Sequence, residues 1–450
     1  MVSEPQSRWA KIVRRILHIL RVVTYFFLLG APLGWLSDQY GWGTLSTFFF
    51  YALAIVPLAG WTANLSDVLV ERTRPRGDRS GKLTLGGAVG AVIDNLSFII
   101  LGGVALSQGL NKVVQASIAG AIISNTLLVL GLSFFLGTLV GVRQQFDGKR
   151  AKDYAKLLAV IVTAFVLLAF AEAADPRKIS IAREFSVPIA FALIALFVAY
   201  AAYEFFHWRR LENRKQDGPF VEGMNNVLSA HGAGYKLSSP SASQTGDAPL
   251  VDGINALLEG TQSDYRLITM EEENAPTNYR LPRFVAIAGA CLGLVILLIA
   301  TYWVSTQLVG VTTQVAGGTY PITIAGMTIT SIKLSNAFLG LILIPVIGSA
   351  AEHLNSISNA AHGNTEAAVN NTAGYAIQIT LLAAPILVLI SAFLLGGDFT
   401  FDFEPIELAI FGAAMFIFYA VTEDGEGTIV EGAALLVVYA IFAVATLFFA

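Results

Sequence analysis

Charged side chains are scarce in this sequence: they make up 13% of its 450 residues, about half the ~25% typical of soluble domains. So few charges cannot solvate the surface of a chain this long. With 55% hydrophobic residues and a mean hydropathy of +0.65, its main solvent is lipid. A single cysteine, Cys291, excludes an intrachain disulfide framework, and its apolar surroundings make it a small packing residue. Thiolates and clustered histidines are missing, which disfavours zinc or copper chemistry. There is no Walker-type phosphate loop to couple solute movement to ATP, so energy would come from an ion gradient. No motif asks for a cofactor. The net charge of −4 is carried by loops and gives no footprint for nucleic acid. The basic start, with Arg8, Lys11, Arg14 and Arg15, runs into apolar residues without a small-residue cleavage site and reads as a retained signal anchor.

What the chain has in abundance is apolar runs. A membrane-spanning helix needs about 20 such residues, and eleven candidates emerge: Leu17–Leu36, Leu45–Leu65, Leu85–Ser107, Val113–Gly141, Leu157–Ala174, Phe185–Phe206, Phe284–Gln307, Asn336–His362, Glu366–Leu394, Ile406–Val421 and Ile429–Phe449. The first is the least regular, interrupted by Gly30, Pro32 and Gly34. With the N-terminus in the cytosol and alternating crossings, 23 Lys and Arg fall on the cytosolic side against 5 opposite, the asymmetry that fixes orientation. The expected organisation is a cytosolic tail and first span over 1–44, five spans over 45–206, a cytosolic polar linker over 207–283, and five spans over 284–450. Within the linker, Leu250, Val251, Ile254, Leu257 and Leu258 repeat at helical spacing behind Asp247, and the acidic run Glu271–Glu273 follows.

The two halves repeat. Shifted by 254 positions, Gln115–Leu128 falls on Val369–Leu382, and Ala119, Gly120, Ile123, Thr126, Leu127 and Leu128 meet identical residues. The matched spans enter from opposite sides in this topology, and inverted repeats of that kind place a substrate site near the midplane. Polar residues collect at that depth. Glu352, Asn355, Ser356 and Asn359 fall on one face of the eighth span, with His353 beside Glu352. Interhelical hydrogen bonding accounts for Ser356 or Asn359, but a carboxylate in hydrocarbon costs several kcal/mol without water, a partner or an ion. Asp94, Asn95 and Ser97 in the third span, Ser124 and Asn125 in the fourth, and Asn370, Asn371 and Gln378 in the ninth are candidates to converge on it. Carboxylate, carbonyl and hydroxyl oxygens suit a hard cation such as Ca2+.

These residues resemble a family, the calcium/proton exchangers of vacuolar and other acidic membranes, within the cation/calcium exchanger superfamily. Its second signature, in outline G-N-A-A-E-H, matches Gly348-Ser349-Ala350-Ala351-Glu352-His353. Val113–Gly131, Pro405–Glu407 and Asp424–Gly432 are similar to family segments as well, and the likeness runs from about Leu45 to the end. The first signature, G-N-A-T-E, is replaced by Asp94-Asn95-Leu96-Ser97-Phe98, and the repeat independently sets Phe98 opposite Glu352. In the ninth span G-S-S-T-Q has become Gly374-Tyr375-Ala376-Ile377-Gln378. Asp94, one turn before Phe98, is placed to supply the missing charge about 6 Å along the helix.

The resemblance implies an all-α integral membrane protein with an inverted repeat of the sodium/calcium exchanger type. It also implies antiport of a cation, Ca2+ first, against protons, with membrane lipid as the other partner. Glu352 would carry cation and proton in turn, His353 would relay protons, and Phe98 and Tyr375 would shape the pocket. A monovalent cation/proton exchanger stays open, because one carboxylate suits one positive charge. So does a protein of this fold repurposed as a membrane-embedded enzyme or accessory for a hydrophobic small molecule, since Phe98 and Tyr375 make the cavity more aromatic.

Overall fold

A computed structural model describes residues 13, 23, 26–73, 85–174, 184–203, 283–316, 318–324, 327–397 and 399–448. Both the proposed linker helix behind Asp247 and the Glu271–Glu273 run lie outside these residues. The chain divides into two compact units. The first holds residues 1–69, 89–197 and 289–450 and contains every functional candidate; the second holds 70–88 and 198–288. The described parts of the second are helix ends, at 70–73, 85–88, 198–203 and 283–288.

Apolar runs became helices almost throughout, because helices satisfy every backbone group internally where lipid offers no partner. In chain order these are α1 Gly30–Gln39, α2 Thr44–Thr73, α3 Leu85–Asp94, α4 Leu96–Ser107, α5 Asn111–Leu139, α6 Gly148–Ala174, α7 Glu184–Tyr203, α8 Arg283–Val315, α9 Asn336–Gly348, α10 Ala350–Ala361, α11 Thr365–Leu395, α12 Pro405–Thr422 and α13 Ile429–Phe448. Among the described residues, eight helices are long and apolar enough to cross a membrane, or nine with the bent pair α9 and α10. Of the first candidate span the described part holds a 3-10 turn at Phe27–Leu29 and then α1, which opens at Gly30; Gly30 packs on the Phe50 carbonyl and Gly34 on the Tyr51 ring. The seventh span runs longer than its hydropathy suggests, to Val315. A hairpin unforeseen in the sequence follows it, with β2 Thr319–Ile324 paired antiparallel to β3 Met327–Lys333.

The repeat is visible in the element boundaries. Shifted by 254, α4 coincides end for end with α10, and α5 starts where α11 starts. Each of α5 and α11 loosens into a π-helical turn at the matching place, Ser124–Val129 in one and Ile379–Ala383 in the other. The third span breaks at Asn95, the eighth at Ser349, again 254 apart. At the first break the Asn95 side chain stands in for a backbone donor, its Nδ2 giving a hydrogen to Ala91 O at 2.8 Å.

Burial ranks the helices. In the apolar window of α5 83% of residues are buried and in that of α11 61%, but in that of α8 only 17%. The two repeat-related helices form the core, and α8 presents most of its surface outward. Lipid offers no hydrophobic drive for helix association, so small residues permit close contact instead. Gly120 of α5 sits against the Leu341 backbone, Gly340 against Ala116, and Gly131 of α5 against Gly432 of α13.

Loop contacts fall into two groups. At one end β1 Gln144–Gln145 pairs with β4 Glu426–Gly427, Arg143 meets Glu426 at 2.8 Å, and Lys152 meets Glu423 at 3.2 Å. There too buried Gln144 accepts from Thr365 Oγ1 at 2.9 Å, and the Asp147 amide donates to Glu366 at 2.6 Å. At the other end Lys112 meets Glu404 at 3.0 Å, and buried Gln115 donates to Thr400 O at 3.1 Å and Asp402 O at 2.9 Å. The Phe401 amide also donates there, to Ser186 Oγ at 3.1 Å. This grouping is what successive crossings of a slab require.

Candidate functional site

The two broken spans meet around α11. Its Gln378 accepts a hydrogen bond from Asn95 Nδ2 at 2.9 Å, and its Tyr375 hydroxyl accepts one from Ser349 Oγ at 3.3 Å. Asn95 and Ser349 are themselves the break residues, so one helix holds both kinks in place. Each break leaves a short turn where backbone and side-chain oxygens can face inward, the arrangement of discontinuous transport helices.

Glu352 lies in the first turn of α10, three residues past the second break. Its side chain is half-buried, and Oε2 is enclosed with no hydrogen-bond partner among the described residues. Asp94, half-buried, closes α3 immediately before the first break. The two carboxylates lie within electrostatic reach of each other, and both are within reach of buried Tyr375. Asn95 Oδ1 and Ser97 Oγ are also buried without a partner among the described residues. A buried unpaired oxygen forfeits hydration worth about 1–3 kcal/mol, and Glu352 Oε2, Asn95 Oδ1 and Ser97 Oγ, all at or within three residues of a helix break, make up an oxygen-rich locus with Asp94. Among the described residues no three His, Cys, Asp or Glu side chains gather as a metal cluster, so a cation here would draw its remaining ligands from amide, hydroxyl or carbonyl oxygens. Open space adjoins the locus: a Cβ built on Gly348 or on Gly374 would meet nothing within 4 Å.

Other candidates sit further out. His353 is buried, with Nε2 unpartnered among the described residues. It lies about 100° around α10 from Glu352. Ser356 is buried and Asn359 half-buried on the Glu352 face, whereas Asn355 is exposed. Ser124 and Asn125 are fully buried, but both donate to Ala121 O within their own helix, at 3.2 and 2.7 Å. Asn370 is drawn away, donating to Glu366 at 2.9 Å.

Phe98 is 4% exposed and lines a small apolar pocket, with a cavity volume of about 20 Å³, among α4, α5, α8 and α9. Leu101, Gly102, Leu308, Val309 and Ile344 share that lining, which contains no acidic residue and no tyrosine. Among the described residues Phe98 faces aliphatic neighbours, whereas the Tyr375 hydroxyl accepts from Ser349 Oγ, so the two do not share this pocket. This pocket was not foreseeable from apolar runs alone, because its walls come from four helices, and from the seventh-span residues Leu308 and Val309 beyond the expected helix end.

The sequence pattern described as sodium/calcium exchanger protein matches residues 43–206 and 285–448. A Ca(2+)/H(+) antiporter of Synechocystis sp. is 25% identical over 422 residues, covering 94% of this chain and 96% of the relative. The vacuolar cation/proton exchanger 4 of Arabidopsis thaliana is 26% identical over 446 residues, 97% of this chain and 84% of the relative. Among solved structures, native YfkE superposes with a TM-score of 0.64 at 23% identity, covering 94% of this chain and 99% of that one.

Proposed function

The chain belongs to the sodium/calcium exchanger protein family, and on that premise we propose that it exchanges Ca2+ for protons across a membrane. The observation that carries this is the pair Asp94 and Glu352, carboxylates at the two helix breaks and within electrostatic reach of one another. A divalent ion between two carboxylates is neutralised, whereas Glu352 alone would leave net positive charge at depth. The pair supports a divalent cargo over a monovalent one, and the relatives named Ca(2+)/H(+) antiporter and cation/proton exchanger support the same cargo. Asp94 takes over the charge that Phe98 no longer supplies. Glu352 is cation-bound in one state and protonated in the other. Asn95, Ser97 and Gln378 complete the oxygen set, and His353 relays the proton.

The end that carries Arg143, Lys149, Arg150, Lys152 and Lys156 faces the cytosol by the excess of basic residues. The N-terminus and the 207–283 segment lie on that side. The opposite face borders an acidic compartment, vacuolar or another endomembrane, in keeping with the vacuolar relatives. Proton-gradient-driven uptake of radiolabelled Ca2+ into proteoliposomes, with Na+ and K+ as competitors, tests the reading. Uptake that ignores the gradient, or that Na+ and K+ displace completely, defeats it.

A further inference from the structure

The two helix breaks are repeat partners, yet they are held by different means. Asn95 and Ser349 lie 254 positions apart. Both depart from ideal helical angles toward the sparsely allowed bridge region, with φ −87° and ψ −3° at Asn95, φ −111° and ψ 14° at Ser349. An asparagine amide has two hydrogens to give and a serine hydroxyl one. Asn95 spends its pair on Ala91 O of its own span and on Gln378 of α11, at 2.8 and 2.9 Å. Ser349 spends its one on the Tyr375 hydroxyl, at 3.3 Å. None is left for Pro345 O, the repeat counterpart of Ala91 O, which takes the Ser349 backbone amide instead.

Packing does not make up the difference. Gly348 and Gly374 directly precede Ser349 and Tyr375, and a Cβ on either would meet nothing within 4 Å. The second break thus has open space beside it on both helices, and one side-chain bond bridges them. That bond is buried, with Ser349 0% exposed and Tyr375 6%. Its partners are matched in length: a short serine meets a long tyrosine, where the exchanger pattern has asparagine and serine. The two departures complement each other.

Glu352 follows three residues after the break, and Tyr375 lies within electrostatic reach of it and of Asp94. A turn of the break therefore carries Glu352 toward or away from Asp94. Selectivity among hard divalent cations depends on cavity size, ligand number and flexibility. We propose that Tyr375 is a specificity-determining positioning residue, which through Ser349 fixes the second break and with it the separation of Glu352 and Asp94. The proposal rests on the exchange reading. The first break, with two side-chain bonds, is the fixed jaw of the site, and the second is the adjustable one. Without the Tyr375 bond the second jaw relaxes into the space beside Gly348 and Gly374. The site then takes the larger Sr2+ almost as well as Ca2+.

Equilibrium binding to the full chain in detergent decides it, with radiolabelled Ca2+ displaced by Ca2+ or by Sr2+. Tyr375→Phe keeps the ring and removes the hydroxyl, and Ser349→Ala removes the other partner. Each should lower the ratio of Sr2+ to Ca2+ dissociation constants at least threefold. The double variant should lose no more than either single one, because all three break the same bond. An unchanged ratio in either folded single variant overturns the proposal, as does a double variant in which the two losses multiply. A packing role alone would lower melting temperatures and leave the ratio where it was, which is the same refutation. In proteoliposomes Tyr375→Phe should raise the KM for Ca2+ while kcat stays within twofold, and a loss of kcat at constant KM counts against the clamp. Wild-type Ca2+ uptake that ignores the proton gradient defeats the exchange reading instead, and the binding ratios, which need no transport, still decide the clamp.

Discussion

Glu352 and Phe98 hold the same place in the two halves, yet one is a half-buried acid facing other oxygens and the other a buried ring among aliphatic side chains. Glu352→Gln keeps the shape and removes the exchangeable proton, so Ca2+ flux should fall at least tenfold, about 1.4 kcal/mol of barrier. Asp94→Asn should abolish Ca2+ binding as well as flux. A thermal-shift titration checks it: wild type at 100 times its Kd gains about 2.7 kcal/mol, and the variant should gain none. Persistent stabilisation in Asp94→Asn would show that the second charge comes from elsewhere. Phe98→Glu would set an unpaired carboxylate among aliphatic side chains, so it should lower the melting temperature without tightening Ca2+ binding. At this scale much was legible. A carboxylate inside an apolar run is conspicuous, and the repeat register exposed Phe98 without any structure. The bonding of Ser124 and Asn125 to their own helix was not legible, because a side chain's choice between its backbone and a neighbour depends on which helix lies opposite.

Among the helices, some boundaries followed hydropathy closely: α12 spans Pro405–Thr422 against an expected Ile406–Val421, and the long ninth span lies within a residue at each end, whereas α6 begins nine residues before the expected Leu157 and α8 runs on to Val315. The interior breaks did not follow from composition. Neither Asn95 nor Ser349 is a proline, and the second break bends its span by 63°. What holds the kinks is tertiary, the hydrogen bonds from Asn95 and Ser349 to α11. Repeat-related positions also diverge in packing. Gly120 lies against the Leu341 backbone, whereas its counterpart Gly374 faces open space. Gly120→Ala should therefore destabilise by about 1–3 kcal/mol, the usual cost of overpacking. Gly374→Ala should be neutral or stabilising by up to ~1 kcal/mol through helix propensity. Melting temperatures of the two variants in one detergent test the pair, and equal losses would refute the asymmetry.

Across the whole molecule, contacts between loops tie the halves together at each end. At one of them Gln145 and Arg143 hold the Glu426 carboxylate below the ordinary glutamate range, chiefly through hydrogen bonds to it. A lowered carboxylate contributes stability above its unfolded value, about 4.3, and loses it as pH falls through the folded value. Protection of the Gln144 and Gly427 amides, taken relative to the intrinsic exchange rate at each pH, should thus stay constant from neutral pH down to about 5 and fall below about 4. Glu426→Gln should abolish that acid step. Sidedness is open to a simpler check. Protease added to sealed vesicles of known orientation should cut the 207–283 segment from the cytosolic face alone, and cleavage solely from the other face would invert the molecule.

The space behind Phe98 has a mechanical side as well. Unfilled volume in a folded protein is volume that compression can recover, and hydrostatic pressure favours whichever state has less of it. Compression that drives the walls of this pocket together recovers that volume. Squeezing the protein should therefore favour whichever of its states closes the gap behind Phe98.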